Sequence, residues 1–181
     1  MKSVNTIKPK VLIPEIKIQT RLRELAHDIQ NDFQGEEITA ICILKGSFIF
    51  FSDLIRLLEI PVRCEFLGLS SYGDHTVSTG EVKVTLDLND PLEDRNVIIF
   101  EDIVDTGLTL KFILQQLQNR KPKSVKTCSL LVKPQSLKVK VPLDYVGFEV
   151  GNEFIVGYGL DYAQKFRGLP YIGAIETSQN N

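Results

Sequence analysis

The chain has 181 residues, 43% of them hydrophobic and 24% charged, with a formal net charge of −2. That length suits one domain with a core of its own, and the slightly acidic balance speaks against a general nucleic-acid binder, which carries a basic footprint. The cysteines Cys42, Cys64 and Cys128 are odd in number, far apart and without a C-x-x-C pair, which fits three small buried side chains in a reducing cytoplasm better than a zinc or redox centre.

In chain order, the first residues hold no apolar leader-type run, and no later run is long enough to span a membrane. Ile18, Leu22, Leu25 and Ile29 recur at helical spacing, so an amphipathic helix is expected over Glu15–Phe33, after Pro14 and before Gly35. Ile38–Leu44 is a continuous apolar run and reads as a buried strand. Ser47–Leu58 reads as a helix, and Pro61 precedes a strand near Val62–Leu69.

Ser70–Gly80 is polar and turn-rich, an exposed flap between two strands. Glu81–Leu88 alternates, with Glu81, Lys83, Thr85 and Asp87 facing outward and Val82, Val84, Leu86 and Leu88 inward. Asn96–Phe100 is a short buried strand. Leu110, Ile113, Leu114 and Leu117 give the next helix one apolar face. Val125–Val132, Tyr145–Glu149 and Tyr171–Ile175 complete the strands. Strands alternating with helices predict an α/β fold, a mostly parallel twisted sheet flanked by helices. Ligands of such sheets sit beyond the carboxyl ends of the strands. Lys45, the pair Glu101 and Asp102, and Lys133 each follow a strand and are expected on one rim.

The most informative stretch is Val97–Thr109, Val-Ile-Ile-Phe-Glu-Asp-Ile-Val-Asp-Thr-Gly-Leu-Thr. An apolar run ends in two adjacent carboxylates; Asp105, Thr106, Gly107, Leu108 and Thr109 then lead into a helix. The first N–H groups of a helix lack internal partners and carry about half an elementary positive charge, so a phosphate docks there. Gly107 lets the backbone approach closely or take positive φ. Adjacent carboxylates need hydroxyl donors or a metal ion beside them. The pattern therefore suits a molecule with a phosphate at one end and a sugar diol beside it. No Walker loop is present, and Gly157-Tyr158-Gly159 lacks the third glycine of a dinucleotide fingerprint.

Val97–Thr109 resembles the signature of the type I phosphoribosyltransferases. The wider chain, from Ile7 to Ile175, is similar to the hypoxanthine (hypoxanthine-guanine) phosphoribosyltransferases of purine salvage. The resemblance is carried also by Leu44-Lys45-Gly46, Ser70-Ser71-Tyr72-Gly73, Leu131-Val132-Lys133-Pro134 and Phe154-Ile155-Val156-Gly157-Tyr158-Gly159-Leu160-Asp161-Tyr162.

The resemblance implies roles. Glu101 and Asp102 hold the ribose hydroxyls of 5-phosphoribosyl-1-diphosphate, directly or through Mg²⁺; Asp105, Thr106, Gly107, Leu108 and Thr109 cradle its 5′-phosphate. Asp105 is the catalytic base toward purine N7. Lys45 and Gly46 face the diphosphate, after a non-proline cis peptide. Arg167 contacts diphosphate and Asp161 holds Mg²⁺ there, beside the purine. Lys133 donates to the oxygen at purine C6, Phe154 stacks on the ring and the Ile155 backbone meets its edge. Ser71 and Tyr72 belong to a closing flap. Phe100 is bulkier than the usual aliphatic residue, and Gly151-Asn152 replaces a proline-plus-acid turn.

The implied protein is a single domain over 1–181, with a core near 36–148 and a small hood from about 1–20 and 149–181. It is implied to be a homodimer or homotetramer acting on small molecules, with no nucleic-acid or membrane partner. Lys133, a pure donor, favours 6-oxopurines over adenine. Xanthine stays open beside hypoxanthine and guanine. A phosphoribosyl-diphosphate-sensing regulator that binds nucleic acid, and a plain nucleotide-binding module, also stay open.

Overall fold

The computed structural model describes residues 8–71 and 82–175. A six-stranded sheet runs in the order β4-β3-β2-β5-β6-β7, with β2 at Ile38–Leu44, β3 at Val62–Ser71, β4 at Val82–Leu86, β5 at Asn96–Val104, β6 at Ser124–Val132 and β7 at Tyr145–Glu149. All neighbours are parallel except β3 and β4. Helices α1 (Glu15–Asp32), α2 (Phe48–Ile55) and α3 (Leu108–Gln118) flank it. A second, three-stranded sheet in the order β1-β9-β8, called the hood sheet below, joins Lys10–Ile13, Ile172–Ile175 and Phe154–Val156.

The apolar runs become double-faced strands because helices cover both sides of the sheet. Ala40, Cys42, Ile98 and Phe100 pack in one core with Ile18, Leu22 and Leu25 of α1 and Phe50 and Leu54 of α2. Their sequence neighbours Ile41, Ile43, Val97 and Ile99 pack in the other with Leu110, Ile113 and Leu117 of α3. Strand alternation sends successive side chains to opposite cores. No helix among the described residues is long and apolar enough to cross a membrane.

Several expectations need correction. Val84 and Leu86 are 36% and 45% exposed rather than inward, because β4 is an edge arm paired only with β3; Leu88 alone of the described inward set is buried. Cys64 is exposed, sharing an open face of β3 with Phe66, while Cys42 and Cys128 are buried. The strand expected to stop at Phe100 continues to Val104, so Glu101 and Asp102 lie within its last residues rather than after it. Helix α2 ends at Ile55. Strands β1 and β8, four and three residues long, have no periodicity to announce them. Of the flap, Tyr72 and the rest of 73–80 lie outside the described residues; Ser71 is at the end of β3, its backbone paired with Val82.

Candidate active site

The chain steps outward from β2 through α2 to β3, then returns to lay β5 on the other side of β2. That reversal opens a crevice beyond the carboxyl ends of β2 and β5, where ligands of open α/β sheets bind. Lys45 and Gly46 leave β2 there, and Asp102 lies near the end of β5 beside them. The two touch: a Cβ on Gly46 would fall onto Asp102 Oδ2. Any other residue there would have to displace the Asp102 carboxylate. The Leu44–Lys45 peptide is cis, and the Lys45 side chain is exposed.

Glu101 is buried, and its Oε2 has no hydrogen-bond partner among the described residues. Beneath it the expected bulk of Phe100 is absorbed by an aromatic cluster, edge-on to Phe51 at 5.4 Å and tilted against Phe50 at 6.0 Å. Burial, and next the neighbouring Asp102 charge, push the Glu101 carboxyl well above the usual carboxylate range. Burial also pushes Asp102 up, to about 6, against the Ile103 N–H that donates to its Oδ1 at 2.8 Å and the positive Arg167 nearby. Two adjacent acids at a strand end, one of them buried with an unpartnered oxygen among the described residues, suit a cation or hydroxyl donors.

After β5 the chain turns through Asp105 and Thr106 to Gly107, which has φ +79 and precedes α3 without any side-chain cap. The first turn of the helix therefore has N–H groups without partners inside the helix, the kind of place where an anion docks. The Leu108 N–H makes only a long 3.4 Å bond to Thr106 Oγ1. Thr109 is half-buried in the first turn, and the Asp105 side chain is about half exposed at the mouth (51%).

Lys133 leaves β6 with its side chain 11% exposed, its Nζ 3.8 Å from Asp105 Oδ2. The same ammonium donates to the Glu153 carbonyl at 3.0 Å. That bond ties it to the strand carrying Phe154 and Ile155. Ile155 is buried; Phe154 is 42% exposed and meets the Tyr162 ring edge-on at 5.3 Å. An exposed aromatic side chain one residue beyond a carbonyl that holds an ammonium can take a flat ring bearing an acceptor.

Asp161 and Arg167 pair with each other at 2.7 Å, half-buried. The other oxygen of Asp161 accepts the Gln164 N–H at 2.8 Å, and Arg167 Nη1 donates to the Gly159 carbonyl at 2.8 Å. Both charges act on Asp102. These contacts link Gly46, Asp102, Asp161 and Arg167 in one group and Asp105, Lys133 and Glu153 in another; Lys45, Glu101, residues 106–109 and Phe154 adjoin them in the chain. An open cleft lined by Pro91–Glu93 and Asn119–Lys121 lies at the opposite end of the strands; its Arg120 is committed to Asp87 at 2.6 Å.

Sequence reasoning missed Tyr162, Tyr158 and the Glu153 carbonyl. Tyr162 followed a singled-out acid and signalled itself weakly; a backbone carbonyl leaves no residue signature at all.

Residues 15–163 match the phosphoribosyl transferase domain model. A hypoxanthine-guanine phosphoribosyltransferase of Bacillus subtilis is 45% identical over 93% of this chain and 94% of its own length. The bifunctional TilS/HprT protein of Listeria monocytogenes is 45% identical over 92% of this chain, which spans only 26% of that protein. A crystal structure of a hypoxanthine-guanine phosphoribosyltransferase from Bacillus anthracis, with HEPES in its active site, superposes with a TM-score of 0.89 at 47% identity, covering 94% of this chain and 99% of that one. With more than half its length matched and full-length relatives at this identity, the chain belongs to the phosphoribosyltransferase family.

Proposed function

We propose that this chain is a purine-salvage enzyme. It transfers the 5-phosphoribosyl group of 5-phosphoribosyl-1-diphosphate to hypoxanthine or guanine, giving IMP or GMP and diphosphate. The observation that carries the reading is the Lys133 ammonium, on a mostly covered side chain, between the Asp105 carboxylate at 3.8 Å and the Glu153 carbonyl at 3.0 Å. The reading takes that ammonium as the donor to a 6-oxo group, that carboxylate as the base for N7, and the start of α3 as the seat of the 5′-phosphate.

In this reading the first N–H groups of α3 and the hydroxyls of Thr106 and Thr109 grip the 5′-phosphate. Glu101 and Asp102 face the ribose diol. The half-exposed Phe154 stacks on the purine, the Ile155 backbone meets its edge and Lys133 donates to O6. Adenine would turn an amino group toward that ammonium and leave both donors unpaired. Asp105 takes the proton of N7 as the glycosidic bond forms. Lys45, the Gly46 backbone and Arg167 face the departing diphosphate.

Magnesium fits the residues present. The orphaned Glu101 Oε2 is a hard oxygen donor next to Asp102. Mg²⁺ is ordinarily bound by one or two carboxylates together with substrate phosphates and water, which suits a pair of acids. Glu101, Asp102 and, on the diphosphate side, Asp161 would hold the ion, which would supply charge neutralisation to the leaving group.

We also read the chain as a cytoplasmic homo-oligomer, a dimer or tetramer. The support is three unpaired cysteines and the exposed apolar side chains Phe48, Phe66, Val84 and Leu86. The test of function is a panel of five nucleobases with phosphoribosyl diphosphate and Mg²⁺, read by product chromatography. IMP or GMP with stoichiometric diphosphate is expected and adenine stays unused; no nucleotide from any base would reject the reading.

A further inference from the structure

Three consecutive residues beside the candidate site adopt positive φ: Gly157 at +93, Tyr158 at +49 and Gly159 at +105. Glycine takes this region freely, but a tyrosine held there is a costly exception that its surroundings must enforce. The glycines are explained by crowding. A Cβ on Gly157 would fall onto the Tyr171 carbonyl, and one on Gly159 onto the Gly46 carbonyl. Tyr158 is buried at 3% exposure; its hydroxyl donates to Asp53 Oδ2 at 2.6 Å and also meets the Gln19 side chain. Asp53 lies on α2, the helix that begins just after Gly46, and its other oxygen holds Arg56 at 2.6 Å.

These contacts close a ring. From Gly46 the chain runs along α2 to Asp53. The Asp53–Tyr158 bond crosses to the hood loop, and Gly159 returns against the Gly46 carbonyl. Gly159 in turn carries Arg167, through the 2.8 Å bond to its carbonyl and the 2.9 Å bond from its N–H to the Arg167 carbonyl. Nothing else in the proposed mechanism uses Tyr158 or Asp53.

We propose that Tyr158 and Asp53 are positioning residues for the diphosphate half of the substrate: their hydrogen bond locks the loop bearing Arg167 and Asp161 onto the Lys45–Gly46 loop, so that both walls of the diphosphate subsite have one fixed separation. The proposal rests on the reading of the site given above. It predicts a split between substrates. Loosening the ring weakens binding of the diphosphate-bearing substrate and of diphosphate itself, and leaves the purine side, built from Lys133 and Phe154, alone.

The experiment is steady-state kinetics of Tyr158→Phe, which keeps the ring that fills the core and removes only the hydroxyl. Losing a buried hydrogen bond to a carboxylate is expected to raise KM for phosphoribosyl diphosphate about tenfold, with the inhibition constant of inorganic diphosphate rising alike. KM for hypoxanthine stays within about twofold. Asp53→Ala reproduces the split, and Asp53→Asn, which keeps an oxygen facing Tyr158, restores the wild-type ratio. Unchanged KM values in Tyr158→Phe, or equal rises for both substrates with a lower melting temperature, overturn the proposal. If Tyr158→Phe does not fold, Asp53→Ala tests the same split from the other side of the hydrogen bond. Wild-type protein that turns over no base fails the functional reading instead, and turnover with no split fails only this one.

Discussion

The Lys133 ammonium stands 3.8 Å from the Asp105 carboxylate, although one residue closes β6 and the other leads into α3. The parallel pairing of β5 with β6 makes the meeting inevitable, since it brings both strand ends to the same edge of the sheet. Opposite charges held side by side at a mouth put a proton acceptor and a hydrogen-bond donor within reach of one flat ring.

Asp105→Asn keeps the size of the side chain and removes its basicity. Turnover is expected to fall about 10²–10⁴-fold, the usual worth of a positioned base. Binding of IMP should change far less. Parallel measurement of kcat and of IMP affinity checks this, and equal activity in the variant refutes the base assignment.

Lys133→Ala removes the donor that separates an oxo from an amino group. The kcat/KM for hypoxanthine should fall about 10–100-fold, the range for a hydrogen bond to a charged group. The preference over adenine should shrink with it. A competition assay with both bases reads the ratio directly.

Asp102 links function to pH-dependent stability. Its carboxyl ordinarily titrates near 3.8 and is pushed up to about 6 by burial. Well below pH 3.8 it is protonated whether folded or not. Between pH 4 and 6 the unfolded chain releases the proton first, so its share of stability falls as pH rises, and stays lost above 6. Asp102→Asn removes that burden and should stabilise the neutral-pH protein by about 1–3 kcal/mol while abolishing most activity. Denaturant melts at pH 4.5 and 7.5 test it; the larger gain should appear at the higher pH.

Gly46→Ala tests the contact between the two strand ends. The added methyl has no room beside the Asp102 carboxylate. Overpacking of this kind should cost about 1–3 kcal/mol and most of the activity. Thermal denaturation gives the first number, and the nucleobase assay the second.

Much of this site was legible because it is local. Val97–Thr109 carries strand, acids, loop and helix start within one stretch, and the apolar runs before Lys45 and Lys133 announced strands pointing to the same rim. What escaped notice depends on partners distant in sequence. Val84 and Leu86 alternate as if one face of β4 were covered, and sequence does not say that β4 is an edge. The three- and four-residue strands of the hood acquire their identity only from each other. The pairing of Asp161 with Arg167, and the packing of Gly159 on Gly46, arise where the hood loop folds back on the sheet. The Gly157-Tyr158-Gly159 run signalled a special backbone, but not that Tyr158 would reach Asp53 on α2.

The central claim is that one mouth, at the reversal between β2 and β5, holds both the phosphate and the base. A crystal structure of the chain with IMP bound tests it most directly. The account predicts the 5′-phosphate against residues 105–109, the purine on Phe154 and its O6 within hydrogen-bond distance of Lys133 Nζ. A nucleotide seated elsewhere, or one with its base turned away from Lys133, would contradict it.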